Sequence, residues 1–149
     1  MIKRILVGVD FSEASRTALD RGAALAQQLD VPMLAMHVLE PPAPLYSGME
    51  LPILDPAWVE EAEKAARSQL DDWLAPYGIW LSAYEGTKAL VRWGKPRTCL
   101  VEEADADTLL VVGQVGHSRL EHFLFGSTAA GVVRHAPCDV LVVRADLKA

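Results

Sequence analysis

Apolar runs alternating with stretches of helical spacing constrain this chain more than any other feature. The runs are IKRILVGV (2–9), VPMLAMHVL (31–39), IWLSAYEG (79–86), DTLLVVG (107–113) and CDVLVVR (138–144). Each reads as a strand, and the fourth is apolar without interruption, as a strand buried on both faces would be. Between the first two, Ser12 caps a helix to about Gln28, with Ala14, Ala18, Gly22, Leu25 and Leu29 at helical spacing. Asp55-Pro56 opens a second helix, which carries Val59, Ala62, Ala66, Leu70 and Trp73 on one face and ends before Pro76 and Gly78. Trp93-Gly94-Lys95-Pro96 opens a short third helix with Cys99, Leu100 and Ala104 inward, and a fourth spans about 127–135 before Pro137. Strands alternating with helices imply an α/β fold: an open, doubly wound, five-stranded parallel sheet with helices on both faces.

At 149 residues the chain has the size of a single domain, 1–149, and enough apolar residues to fold without disulfide or metal staples. Its N-terminus does not read as a signal peptide and no apolar run spans a bilayer, so a cytoplasmic location is expected and a membrane partner is not. Cys99 and Cys138 lack C-x-x-C spacing, which fits a reducing compartment. The net charge of −6 argues against a nucleic-acid partner, which needs a basic face. Asp55, Glu60, Glu61, Glu63, Asp71 and Asp72, set against Lys64 and Arg67, read as a solvated helix face. The stretch 40–56 holds five of the nine prolines and reads as a long loop, either functional or a plain surface insertion.

Unusual residues gather at the carboxyl ends of the first and fourth strands: Asp10-Phe11-Ser12, and Gly113 onward. A strand order of 3-2-1-4-5 sets these two ends side by side at the point where the winding reverses, the usual ligand crevice of such sheets. The segment VVGQVGHSRLEHFLFGST (111–128) then supplies bare backbone at Gly113 and Gly116, and a helix N-terminus at Gly126-Ser127-Thr128. Inward backbone N–H groups and a helix N-terminus together suit a polyphosphate. Taken singly, Gly126 also reads as a turn residue and Ser127 as a cap. Neither G-x-x-x-x-G-K-[ST] nor G-x-G-x-x-G is present, and the second absence weakens a dinucleotide electron-transfer reading. Asp10 reads as a ligand residue at the crevice, or as an acid favouring a helix N-terminus. His117, His122 and His135 lack metal-site spacing, so no metal site is expected; Cys138 reads as a small buried hydrophobe. Trp58, Trp73, Trp80 and Trp93 read as packing residues, with no tight array for stacking bases. No catalytic constellation stands out, so the chain does not read as an enzyme.

The spacing G113-x2-G116-x9-G126-S127 resembles the nucleotide pattern G-x2-G-x9-G-[ST] of the universal stress protein family. KRILVGVDFSEASRTAL resembles that family's opening strand and helix, GKPRTCLVEEADADTLLVVG its third helix and fourth strand, and GVVRHAPCDVLVVR its closing helix and strand. The glycine pattern is similar to that of the members that bind ATP. The resemblance implies a nucleotide-dependent stress-response sensor or switch that binds ATP, with Mg²⁺ bridging phosphates. Val9 and Asp10 would lie by the adenosine, with Asp10 near adenine or ribose, Val38 would offer backbone to adenine, and Ser12 would join the ATP-binding residues. Gly113, Gly116, His117, Arg119, Gly126, Ser127 and Thr128 would surround the phosphates. It also implies a homodimer through the fifth strand (Val140, Leu141, Val142, Val143) and a protein partner of unknown kind. A slow ATPase and a non-nucleotide dimeric interaction protein are the alternatives. The family often has arginine after the second glycine; here that residue is His117, with Arg119 two further on. The exchange predicts phosphate binding that is weakened or pH-sensitive. Calorimetric titration with ATP at about pH 6 and about pH 8 checks the second, and equal affinities would exclude it.

Overall fold

The computed structural model describes residues 1–41, 55–78, 88–114 and 126–145. Five strands form one parallel sheet: β1 (Arg4–Gly8), β2 (Met33–Leu39), β3 (Lys88–Trp93), β4 (Thr108–Gly113) and β5 (Asp139–Val143). Their order is β3-β2-β1-β4-β5, as the sequence implies, so the winding reverses between β1 and β4. Ile5 aligns with Met33 on one side and Leu109 on the other; Leu6 aligns with Leu34 and Leu110.

Among the described residues four α-helices cover the sheet: α1 (Glu13–Leu29), α2 (Pro56–Leu74), α3 (Pro96–Glu103) and α4 (Ser127–His135). Side chains alternate across a strand, so one set faces each helix pair. Ile5, Val7, Met33, Ala35 and Val111 form one core with Leu19 and Ala23 of α1 and Leu70 and Leu74 of α2. Leu6, Leu34, Met36, Leu110 and Val112 form the other with Leu100 of α3 and Ala129 and Val132 of α4. Burial on both faces explains why the central strands read as unbroken apolar runs.

Local chemistry sets the helix ends. The Ser12 hydroxyl accepts from the Ser15 N–H at 3.1 Å and starts α1. Asp30 ends it in the left-handed region at φ 56°, with its N–H turned back to the carbonyls of Ala26 and Gln27. Asp55 accepts from the Ala57 N–H at 3.0 Å, and Pro56 occupies the first position of α2.

Several expectations need correction. The strand that pairs with β2 is Lys88–Trp93, a stretch to which the sequence pattern assigns no strand. The segment 79–86, expected to be that strand, lies outside the described residues. Lys88 and Arg92 disguise β3, because an edge strand tolerates charge: Arg92 donates to Glu102 at 2.8 Å while Ala89 and Val91 reach the α1/α2 core. Leu29 is exposed, and Leu19, Ala23 and Ala26 complete the buried stripe of α1 instead. Cys138 is half-buried at the margin of the α3/α4 core. Trp58 and Trp93 form a pair with ring centroids 6.0 Å apart, and Trp58 remains exposed. Trp80 and most of the proline-rich stretch, 42–54, lie outside the described residues.

Among the described glycines, Gly22 of α1 lies most tightly against the sheet. A Cβ there would sit 2.5 Å from Val7 Cγ2, well inside contact distance. Gly22→Ala is therefore predicted to destabilise the fold by about 1–2 kcal/mol, overpacking outweighing the gain in helix propensity. Urea unfolding of the variant against the parent chain measures the difference.

Candidate functional site

The carboxyl ends of β1, β2 and β4 open into a cavity of about 430 Å³ on the α3/α4 side of the sheet. Eight of the residues expected at a ligand site line it together: Val9, Asp10, Ser12, Val38, Gly113, Gly126, Ser127 and Thr128. Gly116, His117 and Arg119 lie outside the described residues. The topology brings these segments together, because β1 and β4 are adjacent and their loops leave the same edge.

At the β1 end the chain makes a tight turn. The Asp10 carboxylate accepts from the Ser12 N–H at 2.9 Å and also from the Ser12 hydroxyl. The same hydroxyl caps α1, so its one proton is committed to Asp10. Ser15 closes the turn by accepting from the Asp10 N–H at 3.3 Å and donating to the Ser12 carbonyl at 3.0 Å. Ser12 thus shapes the cavity wall as an organiser of the turn. Between Asp10 and Ser12, Phe11 sits at φ 62°, a region that costs a non-glycine residue about 1–2 kcal/mol.

Val9 is tied to β2 from both sides. Its N–H donates to the Met36 carbonyl at 2.8 Å, and its carbonyl accepts from His37 Nδ1 at 2.7 Å. A carbonyl only accepts, so Nδ1 carries the proton. Sequence reasoning missed His37, and the only signal available was its place beside Val38. It also missed Glu40, which follows the alternation of Met36 and Val38 and lines the same cavity. The apolar wall of Met36, Leu100 and Val112 was missed too, because core and pocket positions share one pattern.

At the β4 end two backbone bonds pin the neck of the 115–125 segment. The Gln114 N–H donates to the Val143 carbonyl at 2.8 Å, and the Gly126 N–H donates to the Gln114 carbonyl at 2.7 Å. Gly126 then starts α4, whose first internal bond runs from the Ala130 N–H to the Gly126 carbonyl at 2.9 Å. The N–H groups of Ser127, Thr128 and Ala129 precede that bond, and among the described residues no side chain caps this helix. All three residues line the cavity, so the positive end of a helix dipole opens on it.

The site therefore has two chemical ends. One presents the Asp10 and Glu40 carboxylates beside the β1 and β2 backbone, and the other presents helix N–H groups that no described side chain caps. The apolar floor lies between them. Burial pushes up the thiol pKa of Cys99 behind this floor, and its Sγ lies 3.7 Å from the Trp93 carbonyl oxygen.

The sequence pattern of the universal stress protein family matches residues 1–144. The chain belongs to this family. A Staphylococcus aureus (strain USA300) protein bearing the same family name is 30% identical, the match covering 97% of this chain and 85% of that one. The universal stress protein UspA from Lactobacillus plantarum superposes with a TM-score of 0.71 at 27% identity, over 95% of this chain and 97% of that one. The hypothetical protein MJ0577 shares the fold at a TM-score of 0.74 and 20% identity, over 99% of both chains. A universal stress protein in complex with cAMP shares it at 0.62 and 24%, over 97% and 98%.

The two described glycines of the pattern differ in kind. A Cβ on Gly113 would meet Ala14 Cβ at 2.8 Å and the Ala14 carbonyl carbon at 2.9 Å, so packing against α1 alone demands glycine there. Gly126 lies at φ −57° and ψ 163°, angles open to any L residue. Gly113→Ala is thus predicted to lower stability by about 1–3 kcal/mol in the absence of any ligand. Thermal unfolding of the ligand-free variant tests this; an unchanged midpoint would contradict it.

Proposed function

We propose that this universal stress protein is a single-domain nucleotide-binding switch whose cavity takes ATP. The observation that carries the reading is the uncapped N-terminus of α4, facing two carboxylates across an apolar floor in one cavity. Helix N–H groups favour phosphate, whereas carboxylates repel it and accept from hydroxyl or amino groups. The triphosphate accordingly lies toward Ser127, Thr128 and Ala129, and the adenosine toward Val9, Asp10 and Val38. Gly116, His117 and Arg119 complete the phosphate end by their place in the glycine pattern. Mg²⁺ fits as an ion held through phosphate oxygens and water, and it supplies charge neutralisation there.

The reading is of a binding protein. The hydroxyls nearest the β1 end, those of Ser12 and Ser15, are engaged in the turn. The His37 Nδ1 proton is engaged by Val9. Nucleotide held beside Gln114 and Gly126, whose backbones are already hydrogen-bonded to each other, would alter a surface that a protein partner reads. The terminal strand β5 offers an edge for a second copy, with Val140, Leu141, Val142 and Val143 across a two-fold axis.

Calorimetric titration with ATP and Mg²⁺, adenosine and cAMP tests the proposal on the parent chain and on Gly126→Val. Valine accepts the φ and ψ of residue 126, so the variant keeps the helix start and crowds only the approach to it. The parent chain is expected to bind ATP more tightly than adenosine or cAMP. The variant is expected to lose about tenfold or more of its ATP affinity and little for adenosine. A parent chain that binds none of the three would overturn the reading.

A further inference from the structure

We infer that Phe11 is the positioning residue of this site, acting from the face of the sheet opposite the cavity. Three observations converge on it. Phe11 holds the left-handed conformation at φ 62° that lets the chain turn from β1 into α1. Its ring packs tilted on His37 at 4.4 Å between centroids and edge-on to Trp73 of α2 at 5.2 Å. The same His37 donates to the Val9 carbonyl at 2.7 Å. One histidine therefore touches the residues on both sides of Asp10. The Arg16 guanidinium lies 3.7 Å from the Trp73 ring centroid and fixes that ring in turn.

The physical logic is an exchange of strain for anchoring. A lone phenylalanine would leave the left-handed region, but here aromatic contacts on two sides hold it. While Phe11 stays seated on the α1/α2 side, the Asp10 carboxylate stays folded over the Ser12 N–H and Val9 and Asp10 face the cavity. Release of the ring frees the turn to relax, and the adenosine end of the site loses its shape. The α4 end is pinned by the Gln114 N–H on the Val143 carbonyl and the Gly126 N–H on the Gln114 carbonyl, bonds in which Phe11 takes no part, so it keeps its shape.

The ligand part of this inference rests on the proposed nucleotide reading; the turn part does not. Both are tested with Phe11→Gly, which accepts the left-handed angle without cost but has no ring, and Phe11→Tyr, which keeps the ring. Hydrogen exchange at the Ser12 and Ser15 amides reads the turn without any ligand. Phe11→Gly is expected to speed exchange at both while amides of β4 and β5 keep the parent rates, and Phe11→Tyr is expected to restore protection. Unchanged exchange in Phe11→Gly would overturn the inference. Calorimetry with adenosine, ATP and inorganic triphosphate then reads the site. Phe11→Gly is expected to weaken adenosine and ATP equally, by about tenfold, the size of one misplaced hydrogen bond, and to leave triphosphate unchanged. Equal loss of all three ligands would mean general destabilisation and would overturn the positioning role. A parent chain that binds no nucleotide, with exchange accelerated in Phe11→Gly, would overturn the nucleotide reading and support Phe11 as anchor of the turn.

Discussion

The pairing of β1 with β4 is the constraint on which the rest depends. Arg4 to Val7 lie against Thr108 to Val111 in parallel register, although about a hundred residues separate them in the chain. Parallel pairing makes both strands end on the same edge, and the reversal of winding there keeps a helix from covering the gap between their loops. A cavity at this edge follows from topology before any side chain is chosen. Side chains then give the two ends of the cavity opposite character, carboxylates on one and bare N–H groups on the other.

Much of this was legible in the amino-acid order because it rests on local chemistry. The Ser12 cap, Asp55-Pro56 and the helix start at Gly126-Ser127 are short local patterns, and all three helices begin where they were read, with Gly126 rather than Ser127 at the N-cap of α4. The strand order was legible because the unusual residues cluster after the first and fourth strands. What failed was the edge. KALVRW carries two cations and hides its alternation, whereas 79–86 is rich in aromatic and apolar residues and outbids it on pattern alone. Only the partners of Arg92, at Glu102 and the Cys99 carbonyl, explain how an edge strand accommodates that charge.

The site was legible as a set of positions and less so as a set of roles. Ser12 was grouped with the ligand residues, yet its hydroxyl serves the turn. Gly113 was read as backbone left bare for a phosphate, yet Ala14 of α1 is what presses on it. His37 showed only as a neighbour of Val38 and Phe11 only as a member of the Asp10-Phe11-Ser12 cluster, since their importance lies in a contact between two strand ends and an aromatic seat completed by α2. Long-range contacts of this kind have no periodicity to betray them. Family membership adds the fold and the glycine spacing; the roles come from the geometry.

The proposed orientation of the nucleotide is tested most directly by mapping backbone amide shifts by NMR on adding ATP and, separately, adenosine. Both ligands are expected to move the amides of Val9, Asp10 and Val38, and only ATP those of Ser127, Thr128 and Ala129. Shifts at the α4 N-terminus with adenosine alone, or with neither ligand, would contradict the assignment of that helix end to phosphate.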